Sequence, residues 1–91
     1  MSVKIAESVG RGGKNRKPDT RKIQRLLSAI FPGAALVDDG LCGPKSIRRI
    51  ERFQRRFMAD PDGRVDPNGR TLRRMNGAAP ALQSDWSGYV G

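Results

Sequence analysis

The stretch from Asp39 to Phe57, DGLCGPKSIRRIERFQRRF, decides how the rest of this chain is read. Asp39-Gly40 is a turn dipeptide, in which Gly40 supplies the positive φ that other residues resist. Gly43-Pro44 opens a helix, because proline's missing N–H costs nothing at the first helical position. Ile47, Ile50, Phe53 and Phe57 recur at spacings of three and four and fall on one face. Arg48, Arg52, Arg55 and Arg56 fall on another, with Arg49 flanking them, and Glu51 is placed to pair with Arg55 one turn on.

Part of this stretch comes twice. Asp39-Gly40-Leu41-Cys42-Gly43-Pro44 matches Asp62-Gly63-Arg64-Val65-Asp66-Pro67 as D-G-x-[C/V]-x-P. Ile23-Gln24-Arg25-x-Leu27 matches Phe53-Gln54-Arg55-x-Phe57 in the same order. The chain therefore reads as one repeated unit: a helix bearing apolar-Gln, a D-G loop, and the next helix. Gln24 and Gln54 share a motif position, from which they can bond loop backbone or line a groove.

Working outward, Pro18-Asp19-Thr20 starts a first helix, with Asp19 or Thr20 as cap. Ile23, Leu26, Leu27, Ile30 and Phe31 form its apolar face, and Pro32-Gly33 ends it. The next loop is expected to carry Leu36, Val37, Leu41 and Cys42 into the core. The second helix runs from Pro44 to about Met58, Asp60 to Gly63 form a second turn, and Pro67 opens a short third helix through Leu72 and Met75. With Ile47, Ile50, Phe53, Phe57 and Val65, these apolar residues make a core that suits one small helical domain of 91 residues. Before Asp19, residues 1–18 read as a short extended arm against the helices, through Val3 and Ile5 as far as Val9, followed by a Gly/Lys/Arg-rich loop. That loop is not a phosphate-binding P-loop, since Gly13-Lys14 is followed by Asn15 rather than Ser or Thr. Residues 19–76 form the domain and 77–91 a linker or tail, in which Trp86 and Tyr89 are expected packing anchors.

Composition excludes most catalytic classes. There is no His, which removes the commonest general base and metal ligand. A single cysteine, Cys42, permits neither an intrachain disulfide nor a structural zinc site. Asp60, Asp62 and Asp66 lack the spacing of a calcium loop, because Gly63 stands fourth rather than sixth and the twelfth position is Thr71. Glycoside cleavage needs two facing carboxyls, one of raised pKa. Glu7 lies in the arm, and Glu51 lies beside arginines that lower a carboxyl pKa. No catalytic residue, metal or cofactor is therefore expected. The net charge of +9 implies anionic partners: nucleic acid, anionic lipid, or the carboxylates and phosphates of a cell wall. No stretch has the length of a membrane span, so no membrane insertion is expected.

The order apolar-Gln-x-x-Leu, D-G-x-x-G-P, a helix ending in F-Q, then D-G-x-V-x-P resembles the bacterial peptidoglycan-binding domain, the small three-helix module attached to many cell-wall hydrolases. The resemblance covers Asp19 to Asn76. The preamble from Val9 to Asn15, followed by Asp19, is similar to a variant at the front of some exported bacterial toxins and phage lysins. Cys42 departs from the family's usual aromatic, Ser46 from its Thr, Asp66 from its second Gly and Leu72 from its closing aromatic. The resemblance implies an all-α, three-helix bundle with two D-G loops and extended termini. It also implies non-catalytic binding of peptidoglycan, holding an attached or partner hydrolase or an exported toxin at the wall. The expected groove lies between helices near the D-G loops, with Asp39, Arg48, Arg52, Asp62 and Arg64 as candidate contacts.

Two other functions compete. The arginine face of the second helix would suit a nucleic-acid-binding module, although it is not interleaved with base-reading Asn or aromatic residues. An adaptor of a secretion system would use the apolar loop and the tail. After Met1 there is no apolar signal region, so action at the periplasm or wall implies leaderless export or a leader already removed.

Overall fold

The computed structural model describes residues 2–79. The fold is mostly helical. In chain order it comprises β1 (Val9–Gly10), α1 (Lys17–Ile30), a 3-10 turn (Pro32–Ala34), α2 (Pro44–Gln54), β2 (Arg64–Val65) and α3 (Arg70–Ala78). β1 and β2 pair antiparallel, with Val9 opposite Val65 and Gly10 opposite Arg64. This small sheet is absent from the all-α expectation, because two residues are too short a run to show period-two alternation.

The core is built by all three helices and both strands. Ile23, Leu26 and Leu27 of α1 meet Ile50 and Phe53 of α2, Leu72 and Met75 of α3, and Ile5, Val9, Val65 and Ala79. Ile5 and Val9 were not among the expected core residues. Their burial comes from polar anchoring of the segment that carries them. The buried Asp19 carboxylate accepts N–H bonds from Ala6 and Glu7 at 2.9 and 3.0 Å. Asn76 accepts from Val3 N at 2.8 Å and donates to Val3 O at 3.1 Å. Ser8 Oγ donates to Asp66 Oδ1 at 2.7 Å. The amino-terminal arm is thus tied at three points and packs as part of the domain, where each fully buried aliphatic side chain contributes about 1.5–3 kcal/mol before entropy is counted.

This anchoring also corrects the start of α1. Asp19 and Thr20 lie inside the first turn, and the N-cap position is Arg16, which makes no side-chain cap bond. Asp19 instead spends its oxygens on the arm, near the positive end of the helix dipole. The helix closes where the Phe31 N–H bonds Leu27 O, just before Pro32, which cannot continue it.

α2 ends at Gln54, four residues before the expected Met58. Arg56 N and Phe57 N bond the carbonyls of Phe53 and Gln54, three residues back, so the last turn tightens into 3-10 geometry. Glu51 pairs with Arg11 at 2.9 Å rather than with Arg55. α3 starts at Arg70, not at Pro67. Asn68 has φ 59°, a left-handed conformation that interrupts the right-handed path between Pro67 and the helix. The helix extends to Ala78, so the segment expected to begin a linker at residue 77 is helical. Trp86 and Tyr89 lie outside the described residues.

Candidate functional site beside the first loop

The site is built on two copies of one cap. Gln24, buried on α1, accepts the Gly40 N–H on Oε1 at 2.9 Å. Its Nε2 donates to Asp39 Oδ1 at 3.2 Å, Leu41 O at 3.1 Å and Ser46 Oγ at 3.4 Å. Asp39 Oδ1 also accepts from Leu41 N at 2.9 Å, closing an Asx-type turn. Gln54 repeats this on α2. It accepts from Gly63 N at 2.9 Å and donates to Asp62 Oδ1 at 2.8 Å, Arg64 O at 3.1 Å and Thr71 Oγ1 at 3.1 Å. Asp62 Oδ1 accepts from Arg64 N at 3.0 Å. Each glutamine amide is consumed by its own loop. Both glycines need positive φ, 78° at Gly40 and 69° at Gly63, because the turn carries its amide back toward the glutamine.

The loops' carboxylates are held in the charged form. The Leu41 N–H, and after it the Gln24 amide, hold the Asp39 carboxyl below its usual range. At Asp62 partial burial pushes the pKa up, but the Gln54 amide and the Arg64 N–H outweigh it, and the net shift is down. Asp38 is lowered chiefly by the Arg25 guanidinium, which bonds it at 2.7 Å.

The two loops part company in what they expose. Beside the first lies a groove of about 290 Å³ whose walls include Leu36, Val37, Leu41 and Pro44, with Asp39 and Lys45 charged at its edge. Val37 and Leu41 are 75% and 67% exposed, and they are the large hydrophobic residues left exposed among the described residues. The expectation that both enter the core is therefore wrong. This loop is held by polar bonds, including Leu36 N to Ser28 Oγ at 2.8 Å, and does not need to bury them. Counting from the Asp-Gly pair, the second loop carries Asp60 in place of Val37 and Arg64 in place of Leu41. The scaffold thus accepts charge at both positions, so their apolar character in the first loop is not imposed by folding. Apolar exposure that folding does not require makes this loop the candidate contact surface.

Of the residues expected from sequence to bind ligand, Asp39 lines this groove. Asp62 is turned into its own loop, and Arg64 pairs with Asp66 at 3.0 Å. Arg48 and Arg52 lie on exposed parts of α2. The structure therefore does not gather the five around one cavity. Val37, Leu41 and Lys45, which line the groove, were not among the expected contacts. The signal available was the contrast between matched positions of the two loops, which becomes telling only once the matched caps are seen.

The arginine surface is more ordered than its sequence suggests. Arg49, Arg52 and Arg56 place their guanidinium carbons 5.7, 5.0 and 5.1 Å from the centre of the Phe31 ring. Arg70 and Arg74 of α3 sit 5.1 and 5.0 Å from the centre of Phe57. The negative ring faces hold these cations without a carboxylate, and no acidic side chain pairs with any of the five among the described residues. Arg49 also donates to Ala34 O. Cys42 is half-buried, and burial pushes its thiol pKa up, which suits packing rather than nucleophilic chemistry. No helix is long and apolar enough to cross a membrane, and no cluster of potential metal ligands occurs, among the described residues. Comparison of the chain with models of protein families, with curated proteins and with solved structures finds no match in any of the three.

Proposed function

We propose that this chain is a non-catalytic binding module for bacterial peptidoglycan that holds a hydrolase or an exported toxin at the wall. The Gln…Asp-Gly…Pro repeat that resembles the peptidoglycan-binding domain is also a repeat in space, each copy using the same atoms. The observation that carries the reading is the asymmetry laid over that repeat: Val37 and Leu41 are exposed beside the first loop, where the second loop has Asp60 and Arg64. One copy then serves as scaffold, and the other adds a ligand groove.

The basic surface has a supporting part in this reading. Arg52, Arg56 and Arg74, held on Phe31 and Phe57, make no side-chain hydrogen bond or ion pair among the described residues, which leaves their in-plane N–H groups to carboxylates and phosphates. A net charge of +9 draws the module toward an anionic wall. The same surface supports the second reading, nucleic-acid binding, and salt separates the two. Affinity for duplex DNA falls steeply with salt, with a slope of about −0.9 per phosphate neutralised. Short contacts in a groove are screened less.

The test is co-sedimentation with purified sacculi at about 0.15 M ionic strength. The protein is expected to pellet, to release no soluble muropeptides on long incubation, and to bind DNA weakly and without sequence preference. Arg52→Ala with Arg56→Ala is expected to lower the pelleted fraction. Failure to pellet, alongside tight sequence-dependent DNA binding, overturns the proposal in favour of the nucleic-acid reading. Release of muropeptides overturns its non-catalytic part.

A further inference from the structure

We infer that the groove beside the first loop takes the peptide of peptidoglycan and not its glycan: a short segment with aliphatic side chains, an ammonium and a carboxylate. This rests on the peptidoglycan reading above and goes further, to the chemical class of the ligand.

The walls of the groove argue first. Sugar rings present C–H faces that pack on the flat, electron-rich faces of aromatic residues. Among the described residues, no aromatic side chain lines this groove. The rings of Phe31 and Phe57 are elsewhere and already covered by arginines. The surface on offer is aliphatic, from Leu36, Val37, Leu41 and Pro44. It gains by covering methyl and methylene groups, at about 25 cal/mol for each Å² removed from water. A polyhydroxylated sugar would instead lose hydration against these aliphatic walls.

Charge argues second. Asp39 and Lys45 set one negative and one positive group on the same groove. Asp39 Oδ1 is committed to Leu41 N and Gln24 Nε2, whereas Oδ2 has no hydrogen bond among the described residues. An ammonium can therefore bind Oδ2 without opening the cap. Lys45 forms no ion pair among the described residues and is available to a carboxylate. With the muramyl carboxylate tied up as the amide to the peptide, the N-acetylated sugars match neither group, whereas a stem peptide containing alanine, glutamate and a diamino acid supplies methyls, carboxylates and an amine. A volume of about 290 Å³ lies at the lower limit of ordinary ligand sites, about 300–1,000 Å³, and suits part of such a peptide.

The experiment competes two soluble probes against sacculi for the whole chain: a free stem tetrapeptide containing a diamino acid, and glycan strands stripped of peptide whose freed muramyl carboxylates are converted to amides. Binding is followed in parallel by amide shifts of ¹⁵N-labelled protein. The tetrapeptide is expected to displace the protein and to shift the amides of Gly40, Leu41 and Lys45, whereas glycan strands at equal concentration do neither. Val37→Ser with Leu41→Ser is expected to weaken tetrapeptide binding roughly tenfold while leaving the melting curve in place, because both side chains are exposed. Lys45→Glu is expected to weaken it too, and amidation of the peptide's carboxylates should remove that difference. Displacement by glycan alone, with sacculi still pelleting the protein, overturns this inference and leaves the peptidoglycan reading intact. Absence of pelleting overturns both. Tetrapeptide binding undiminished in the double serine variant removes the groove as its site.

Discussion

Gln24 and Gln54 each receive the N–H of an Asp-Gly glycine on Oε1 at 2.9 Å, and each returns its amide protons to the same loop's aspartate and to the carbonyl two residues beyond it. They differ in tightness. The bond to the aspartate is 2.8 Å from Gln54 and 3.2 Å from Gln24, and the bond to the following hydroxyl is 3.1 Å against 3.4 Å. Replacement by Leu leaves a buried glycine N–H unsatisfied in either loop, at a cost of about 1–3 kcal/mol. Gln54→Leu is expected to cost more than Gln24→Leu, because its bonds are shorter and reach both β2 and α3. Denaturant melts of the two variants check the order. Equal or reversed losses would falsify the ranking.

The glycines of the same loops give a second prediction. A Cβ at Gly40 would stand 2.3 Å from Lys17 Cγ and 3.1 Å from Lys17 O, and a Cβ at Gly63 would stand 3.0 Å from Ile47 Cγ2. Both positions also hold positive φ. Gly40→Val and Gly63→Val are each expected to lose at least about 1–3 kcal/mol, the cost of the strained backbone alone. Thermal unfolding of either variant at the wild-type temperature would speak against the repeated turn.

Acid should unfold the domain through these loops. The carboxyls of Asp38, Asp39 and Asp62 are all held below their ordinary range in the folded chain, by the Arg25 guanidinium, by the Leu41 N–H and, against the upward push of partial burial, by the Gln54 amide respectively. A carboxyl whose folded pKa is depressed stabilises the fold at pH values above its unfolded pKa, about 3.9. That stabilisation is lost as pH falls through the folded value. The melting temperature is therefore expected to fall as pH drops below about 4. Asp62→Asn, whose side-chain oxygen still accepts from Gln54 and Arg64, should flatten this acid limb. An unchanged limb in the variant would assign the acid sensitivity to other groups.

Thr20 offers a substitution expected to stabilise. Its hydroxyl is fully buried and has no hydrogen-bond partner among the described residues. Thr20→Val keeps the shape and removes the unsatisfied group, so a gain of about 1 kcal/mol is expected in chemical denaturation. A loss of similar size would mean that the hydroxyl is satisfied in solution.

Local rules made much of this fold readable. The positions of the three helices follow from apolar residues three and four apart, and the starts of the first two from their prolines. The paired loops follow from Asp-Gly, because few other dipeptides reach the required backbone conformation. Even the sharing of one motif position by Gln24 and Gln54 is visible along the chain. What no local rule supplies is the partner of each polar side chain. Asp19 looks like a helix cap and is instead the anchor of the arm. Glu51 looks like half of a helix pair and instead bonds Arg11. Val9 looks like the end of an extended arm and is buried in a strand paired with Val65. The groove beside the first loop belongs to the same class. Val37 and Leu41 carry the hydrophobicity of core residues, and only the three-dimensional path of a loop pinned by Gln24 and Ser28 leaves them outside. Spacing within one segment is set by covalent geometry, so the chain itself declares it. Contacts between distant segments depend on how all of them pack at once, and only the folded structure decides those.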